Sequence, residues 1–395
     1  MEVYLDNSAT TKVTEEVRDL MAKVMYEDYG NPSSMHRLGL KAEQYMKDAA
    51  AMIAGSLKVE PKEILFTSGG TEANNLALIG TAMANRRRGN HIITTRIEHP
   101  SVHQPLVHLE ENGFEISFAP VDASGKLVKE KLYELIKENT ILVSIMYVNN
   151  EIGAVQDIEE LAKELKARKK DIILHVDAVQ AFGKYRIYPK RIGIDLLSFS
   201  GHKIHGPKGI GALYVSDKVK LNPTMFGGGH QRNLRSGTEN VPAIAGLGQA
   251  VSELYVNFEE KIERLYSLKQ SFLKEVSKLE GVTMNGLPME CTDTFELEQL
   301  KKTAPHIMSI SFQGVRSEVF LHALEDKGVY VSAGSACSSH HPTPSVTLTA
   351  IGLPKDLMDS TLRISMSDRT TKEEIEYTLE QIKLILPTLK RYTRR

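Results

Sequence analysis

The chain has 395 residues, with 49 Lys and Arg against 50 Asp and Glu, 41% hydrophobic residues and 2 cysteines. This length is sufficient for two or three domains with sizeable cores. A formal net charge of -1 provides no electrostatic footprint for a nucleic acid, and two cysteines cannot form a disulfide framework. The composition therefore predicts a cytoplasmic protein whose main partner is not a nucleic acid.

Targeting and membrane segments are not indicated either. The first residues, MEVYLDNSATTKV, are acidic where a signal peptide has a basic region and then an apolar one. The longest uncharged stretch, residues 328–354, is rich in Ser, Thr, His and Pro, so it predicts a mobile polar loop rather than a membrane span. We therefore expect no association with a membrane.

Short apolar runs alternate with helical periodicity over the first part of the chain. The stretch before the fourth run, for example, places Leu161 and Leu165 on one helical face. Nearly continuous apolar strands separated by helices predict a mostly parallel sheet that is covered on both faces. Ligands of such sheets bind at the carboxyl ends of the strands. The predicted strands are residues 63–68, 91–95, 141–148, 172–177, 195–200 and 211–216.

The pattern changes after about residue 240. A long charged helical stretch at residues 251–281 predicts a linker helix, and sparser strands follow at 307–313 and 362–367. The sequence therefore predicts an α/β protein with two domains. The large domain comprises residues 14–255, and the smaller α+β domain comprises residues 1–13 and 256–395.

The first chemical signal is the sequence Ser68-Gly69-Gly70-Thr71, which follows the first apolar run and leads directly into a helical pattern. Glycines let the backbone approach a ligand closely, and a helix N-terminus offers N–H groups and a positive dipole end to an anion. Taken alone, a flexible turn with Thr71 as the helix cap is the simpler explanation. The turn is neither a Walker loop nor a dinucleotide-binding fingerprint.

Two further signals lie at the ends of predicted strands. Asp177 ends one run and is followed by Gln180; a buried carboxylate there needs a partner, although it can equally cap the next helix. Lys203 lies on a polar turn between two strands, where a poorly solvated lysine can act as a nucleophile, although most loop lysines are simply solvated. A phosphate-type turn, a strand-end acid and such a lysine together match the requirements of pyridoxal phosphate.

A fourth signal is Cys337, which lies among small residues in the uncharged stretch SAGSACSSHHP. Small polar neighbours leave a thiolate accessible, and the thiolate is the reactive form. The alternative is a loop cysteine without a function, which is also how we interpret Cys291. A metal site built from Cys337, His340 and His341 is not predicted, because adjacent histidines rarely bind one ion and a further ligand is missing.

The chain as a whole resembles a known family, the cysteine desulfurases, which are fold type I pyridoxal-phosphate enzymes. The SAGSACSS loop resembles that of the group serving iron–sulfur and tRNA-thiolation pathways. The resemblance implies a large domain with a mostly parallel sheet covered by helices, plus a smaller α+β domain. The motifs that carry it are, in chain order, YLDNSATT, GNPSSMHRLG, FTSGGTEANN, EHPSV, VNNEIGAVQDI, HVDAVQAFGK, SFSGHKIHGPKGIGALYV, GGGHQRNLRSGTENV, SAGSACSS and LRISM.

The resemblance also implies a role for each motif residue. Lys203 corresponds to the lysine that links covalently to the cofactor and moves the substrate α-proton. His99 corresponds to the histidine that stacks on the cofactor ring and acts as acid or base, and Cys337 to the cysteine that accepts sulfur. The other implied residues are Asp177 at the ring nitrogen, Asn150 and Gln180 at the ring hydroxyl, Gly70, Thr71, Ser200 and His202 at the phosphate, Thr238 at the phosphate of a neighbouring subunit, and Asn150 and Arg363 at the substrate.

The implied activity is conversion of L-cysteine to L-alanine with a persulfide formed on Cys337. The implied partners are a second copy of the chain and a sulfur-acceptor protein, either an iron–sulfur scaffold or a tRNA-thiolation enzyme. Two alternatives remain open from the residues: a selenocysteine lyase or other amino-acid lyase, and a non-catalytic scaffold. Residues 290–305 form a longer segment than the family usually has, and the sequence assigns it no role.

Overall fold

The computed structural model describes residues 1–291, 294–333 and 344–393. The strands are β1 (Val3–Tyr4), β2 (Ile64–Thr67), β3 (His91–Thr95), β4 (Glu115–Ala119), β5 (Thr140–Met146), β6 (Ile173–Asp177), β7 (Leu196–Ser200), β8 (Gly211–Val215), β9 (Val282–Asn285), β10 (Ile307–Phe312), β11 (Val329–Tyr330), β12 (Ser332–Ala333) and β13 (Thr361–Ser365). The helices are α1 (Glu15–Tyr26), α2 (Arg37–Leu57), α3 (Gly70–Asn75), α4 (Thr81–Asn85), α5 (Pro100–Glu111), α6 (Lys129–Glu134), α7 (Ile158–Arg168), α8 (Pro189–Ile192), α9 (Val241–Leu254), α10 (Phe258–Val276), α11 (Leu297–Leu300), α12 (Ser317–Glu325), α13 (Val346–Ala350), α14 (Lys355–Met358) and α15 (Lys372–Thr393).

The larger sheet has the strand order β2-β8-β7-β6-β5-β3-β4. Six of its strands run in one direction, because only β8 pairs antiparallel with both of its neighbours. Neighbouring residues within a strand contribute to different buried clusters: Ile93 and Val143 to one, Ile92 and Leu142 to the other. The central strands of the sheet are therefore buried on both faces, which explains why they are mostly apolar and confirms the predicted α/β architecture.

A second sheet, with the order β12-β13-β10-β9, is wholly antiparallel. It shares a separate core with α10, α12 and α15, to which Phe272, Ile310, Phe320 and Ile382 contribute. The start of the chain joins this part of the molecule, because β1 pairs in parallel with β11. The two cores agree with a large and a small α/β unit, while the boundaries at residues 13/14 and 255/256 stay a prediction.

Two local predictions were wrong. The linker helix expected over residues 251–281 is divided into α9 and α10, because Asn257 adopts a left-handed conformation with φ 52° that a helix cannot continue through. The stretch 328–354 is not a loop throughout, since its described ends contain β11, β12 and α13. Absence of charge there reflects burial of residues such as Val329 rather than exposure of a polar loop.

The segment 290–305, which had no assigned role, packs on the small-domain core where the structure describes it. Phe295 and Leu300 are buried there, and α11 forms one short turn. Next to it, α10 buries Lys269, whose Nζ donates to Thr303 Oγ1 at 2.7 Å and to the carbonyl of Ala304 at 2.6 Å. Burial lowers the pKa of Lys269 to about 7.

This lysine is expected to make folding stability depend on pH. Between pH about 7 and its ordinary pKa of 10.5, the unfolded chain holds a proton on Lys269 that the folded chain has lost. Stability from this group therefore rises with pH across that window, by at most about 1.4 kcal/mol per pH unit. Urea unfolding at pH 7.5 and pH 9 should show this rise in the wild type but not in Lys269→Met. Lys274→Met, which removes an exposed lysine from α10, is the control; equal pH slopes in wild type and Lys269→Met would contradict the assignment.

Among the described residues, none of the helices combines the length and the apolar character that crossing a membrane requires.

Candidate active site

A cavity of about 530 Å³ opens where β5, β6 and β7 end, at the carboxyl edge of the large sheet. Thr238 does not line it; this residue is exposed in the segment before α9. Cys337 lies outside the described residues, as do His340 and His341. The predicted residues that line the cavity are Gly70, Thr71, His99, Asn150, Asp177, Gln180, Ser200, His202, Lys203 and Arg363.

Lys203 is presented to the cavity by a 3-10 turn, Gly201–Lys203, between β7 and β8. Its Nζ donates to the carbonyl oxygens of Ser8 and Ala9, the latter at 2.8 Å. The turn itself is fixed to the same N-terminal segment, since Thr11 Oγ1 donates to the carbonyl of His202 at 2.9 Å. A lysine amine is thereby placed beside the strand-end acid, where it can attack an aldehyde once it is deprotonated.

Asp177 ends β6 and is almost fully buried. Its Oδ1 accepts from the backbone N–H of Val179 at 2.9 Å, and its Oδ2 accepts from Asn74 Nδ2 at 2.8 Å. These two hydrogen bonds fix the orientation of the carboxylate at the cavity, where it can pair with a ring nitrogen. Asn74 was not singled out from the sequence, although it lies in the FTSGGTEANN motif.

His99 precedes α5 as its N-cap residue. Its Nδ1 accepts from the backbone N–H of Ser101 at 3.1 Å and lies 2.8 Å from Ser101 Oγ. Burial lowers the pKa of His99; the Asp177 carboxylate opposes this effect and the charge of Lys203 adds to it. The ring is therefore neutral at neutral pH, and a flat neutral ring is suited both to stacking and to proton transfer.

The neighbouring residue, Glu98, is a second group that sequence reasoning missed. Its Oε1 accepts from Thr95 Oγ1 at 2.7 Å, while its Oε2 is buried and has no hydrogen-bond partner within the described residues. Burial raises the pKa of Glu98 to about 8. Glu98 is therefore protonated at neutral pH and adds no second negative charge near Asp177.

Gln180 lines the cavity, and contacts with Ser8 and His306 orient its side-chain amide. Gln180 Nε2 donates to the carbonyl of Ser8 at 2.9 Å, and Oε1 lies 3.4 Å from His306 Nε2. Burial, reinforced by surrounding cations, holds the pKa of His306 well below its usual value. His306 is therefore neutral, and only its Nε2–H tautomer can donate to the amide oxygen of Gln180.

One end of the cavity is suited to a phosphate. Helix α3 begins at Gly70, where a Cβ would lie only 2.8 Å from Val179 Cγ2, so only glycine allows this close approach. Thr71, Ser200 and His202 add two hydroxyls and an imidazole. Burial lowers the pKa of His202 to about 4, helped by the charges of two lysines, so its ring is neutral and offers hydrogen bonds rather than charge.

Arg363, on β13, is held at the opposite end by two acceptors. Its Nη2 pairs with Asp6 Oδ1 at 2.8 Å, and its Nη1 donates to the carbonyl of Asn150 at 3.0 Å. Its Nε is buried without a hydrogen-bond partner in the part of the chain that the structure describes. Arg363 nevertheless lines the cavity, so its guanidinium brings a fixed positive charge to this end of the site. Asp6 lies in the YLDNSATT motif, but no sequence pattern indicates that it pairs with Arg363.

The residues present fit pyridoxal phosphate. A buried carboxylate, a lysine amine, a neutral imidazole and a glycine-started helix surround one cavity, and they match the ring nitrogen, aldehyde, ring face and phosphate of that cofactor. Within the described residues, no group of three or more His, Cys, Asp or Glu side chains is arranged to hold a metal ion. The geometry defines the class of protein: an α/β enzyme built around a lysine-bound cofactor.

The comparisons with known proteins agree with this class. Residues 3–378 match the family aminotransferase class-V, and the chain belongs to this family. It is 40% identical over 390 residues to a protein of Dictyoglomus turgidum named cysteine desulfurase IscS, covering 98% of this chain and 95% of that protein. A solved NifS-like protein has a TM-score of 0.90 and 36% identity, covering 98% of this chain and 100% of that one. A structure of SspA in complex with cysteine has a TM-score of 0.80 and 34% identity, covering 93% of this chain and 100% of that one.

The comparisons confirm four predictions made from the sequence: the resemblance to the cysteine desulfurases, the fold class, the enzyme class and pyridoxal phosphate as the cofactor. The chain is therefore a pyridoxal-phosphate-dependent enzyme of the cysteine desulfurase family. The roles of individual residues remain predictions, with most of the predicted groups located around one cavity.

Proposed function

We propose that the protein is a cysteine desulfurase that converts L-cysteine to L-alanine and retains the sulfur as a persulfide on Cys337. The observation that carries this proposal is the convergence of Lys203, Asp177, His99 and Arg363 on one cavity. The names of the relatives and the bound cysteine of the SspA structure support the choice of substrate. The sulfur would supply iron–sulfur cluster assembly, tRNA thiolation or both.

Each described group has a task in this reaction. When bound, pyridoxal phosphate supplies an electron sink that stabilises negative charge at the substrate α-carbon. Asp177 would keep the ring nitrogen protonated, and the guanidinium of Arg363, which lines the cavity, would orient the substrate carboxylate. Lys203 first holds the cofactor and then removes the α-proton, while the neutral His99 ring packs against the cofactor and exchanges a proton with the reacting groups.

The sulfur step balances without an oxidant. The Cys337 thiolate attacks the sulfur of the substrate, so that a new S–S bond forms on the enzyme as the Cβ–Sγ bond breaks. The electron pair of the broken bond stays with the substrate carbon, which takes up protons and leaves as alanine. A thiolate is required because it is the nucleophilic form of cysteine.

The test is mass spectrometry of the pyridoxal-loaded protein after one turnover with L-cysteine and no reductant, with alanine measured in parallel. We expect one added sulfur atom on the peptide that contains Cys337, and loss of both persulfide and alanine in Cys337→Ser. Cys291→Ser is the matched control, because that thiol is buried and donates to the carbonyl of Gln299. Alanine without the persulfide would mean a lyase that does not use Cys337, and turnover of selenocysteine alone would mean a selenocysteine lyase.

The remaining features of the proposal concern assembly. We propose a homodimer in which Thr238 reaches the phosphate of the neighbouring site; its exposure and its distance from the cavity lining of its own chain support this arrangement. A sulfur-acceptor protein is the second partner. Residues 14–255 would form the large domain, and residues 1–13 with 256–395 the small one, in agreement with the separate cores. The low cysteine content supports a cytoplasmic location.

A further inference from the structure

We propose that Asn74 and Ser101 are positioning residues that link the Asp177 carboxylate to the His99 ring through one hydrogen-bonded chain. In this chain, the Asn74 amide orients Asp177 and Ser101 together, and Ser101 fixes the proton of neutral His99 on Nε2. The inference rests on the proposed placing of Asp177 and His99 at the cofactor ring.

The hydrogen-bonded chain begins at the amide of Asn74, which is fully buried on α3. Its Nδ2 donates to two acceptors, Asp177 Oδ2 at 2.8 Å and Ser101 Oγ at 2.9 Å. An amide nitrogen carries two hydrogens, so both bonds can form at once. The planar amide of Asn74 therefore holds two groups at once. One is Asp177, the acid proposed to face the ring nitrogen, and the other is the Ser101 hydroxyl beside His99.

A backbone donor decides the direction of the remaining bonds. The backbone N–H of Ser101 donates to His99 Nδ1 at 3.1 Å. A ring nitrogen that accepts a hydrogen bond carries no proton, so the neutral His99 ring has its proton on Nε2. Ser101 Oγ, which accepts from Asn74 and lies 2.8 Å from Nδ1, therefore donates its hydroxyl hydrogen to Nδ1.

The amide oxygen of Asn74 indicates why the amide keeps this orientation. Oδ1 is buried and has no hydrogen-bond partner in the described part of the chain. Leaving a buried acceptor unsatisfied costs free energy, and a simple structural amide would be expected to use both ends. The orientation is kept because turning the amide over would point its oxygen at the Asp177 carboxylate. The site therefore requires the two N–H donors.

The hydrogen-bonded chain has a consequence for catalysis. A donor to Asp177 Oδ2 fixes the plane of the carboxylate that would face the ring nitrogen. A fixed Nε2–H on His99 defines which ring nitrogen can give a proton to the reacting groups. Because both effects pass through one amide, loss of Asn74 should weaken cofactor retention and disturb His99 at the same time, whereas loss of the Ser101 hydroxyl should affect mainly His99.

The test uses the holoenzyme and two readouts that do not depend on turnover. The first is solid-state ¹⁵N NMR of microcrystalline protein labelled at histidine, with the His99 signals identified by their loss in His99→Gln. The second is the rate of cofactor loss in the presence of a phosphatase that removes released pyridoxal phosphate. The variants are Asn74→Ala, Ser101→Ala and the hydroxyl-retaining Ser101→Thr. Asn85→Ala is the control, because it removes a buried amide whose Nδ2 donates to the carbonyl of Thr81 at 2.8 Å, away from the cavity.

In the wild type we expect an unprotonated Nδ1 and a protonated Nε2 on His99. Asn74→Ala should release the cofactor about 10-fold faster or more, as loss of a hydrogen bond to a charged group predicts, and should shift the His99 signals. Ser101→Ala should shift the His99 signals with a smaller effect on release, and Ser101→Thr should restore them. Protonated Nδ1 in the wild type, or unchanged His99 signals in both Asn74→Ala and Ser101→Ala, would overturn the proposal.

These outcomes are separate from those that test the proposed function. If the protein binds pyridoxal phosphate but makes no persulfide, the desulfurase assignment fails, and the His99 tautomer can still be measured. If persulfide forms normally while the His99 signals are the same in wild type, Asn74→Ala and Ser101→Ala, the positioning chain fails alone.

Discussion

Lys203→Ala is expected to reduce alanine formation by at least about 10³-fold, because one side chain performs two steps of the proposed reaction. Its amine holds the cofactor between turnovers, and afterwards it removes the α-proton of the substrate. Its Nζ donates to the backbone carbonyls of Ser8 and Ala9, and among the described residues that line the cavity Lys203 is the only lysine. The visible absorbance of the purified protein should also change, since the covalent link to the cofactor is absent.

Lys218→Ala is the matched control for this experiment. Lys218 is an exposed lysine that follows β8, at the opposite edge of the large sheet from the cavity. It should leave the absorbance and the turnover rate unchanged. Retention by Lys203→Ala of a tenth or more of wild-type turnover would show that Lys203 is not the residue that moves the α-proton, and the proposed site would have to be reassigned.

Asp177→Asn is expected to lower turnover by about 10²–10³-fold, the effect of removing one preorganised charge from a buried site. The carboxylate has two acceptors for two N–H donors, those of Val179 and Asn74. An amide in its place has only one oxygen, so one donor would face another donor. The neutral side chain also cannot hold the ring nitrogen protonated, and the cofactor becomes a poorer electron sink. Single-turnover measurement of alanine separates this chemical defect from slow product release.

The control for Asp177 is Asp195→Asn, which changes a partly buried aspartate in the same region of the sheet. Asp195 accepts from the backbone N–H of Leu174 at 2.9 Å and pairs with Lys166 at 2.6 Å, so its loss should reduce stability but not the chemical step. Equal turnover of Asp177→Asn and the wild type, with both variants folded, would exclude a ring-nitrogen role for Asp177. Cofactor content, measured on the same samples, shows whether a lower rate reflects chemistry or loss of pyridoxal phosphate.

Much of the fold and of the site could be predicted from the chain itself. Parallel strands that are buried on both faces are mostly apolar along their length, so β3, β5, β6 and β7 appear as nearly continuous apolar runs in the sequence. Polar residues that end such runs must lie at the carboxyl edge of the sheet, which places Asp177 and Lys203 together without any knowledge of side-chain contacts. The resemblance to the desulfurases then supplied the residues whose types alone are uninformative, such as Asn150 and Gln180.

Local pattern was a poorer guide where a single residue or a distant pairing decides the structure. Periodicity continues across Asn257, yet its left-handed backbone separates α9 from α10. Likewise, the uncharged residues around Val329 resemble a loop in sequence but pair with β1 at the start of the chain. A helical or apolar pattern reports how a residue is buried, and it does not report which distant segment covers it.

The amino-acid sequence was therefore sufficient to predict the sheet, its ligand-binding edge, the cofactor and most of the residues that line the cavity. The packed structure was needed to show that Asn74 donates to Asp177, that Asp6 pairs with Arg363 and that Ser101 contacts His99. It also decided that Glu98 and Lys269 have shifted pKa values. The physical reason is the same in each case: burial and hydrogen-bond partners depend on segments that are far apart in the chain, and such distances are set only when the cores pack.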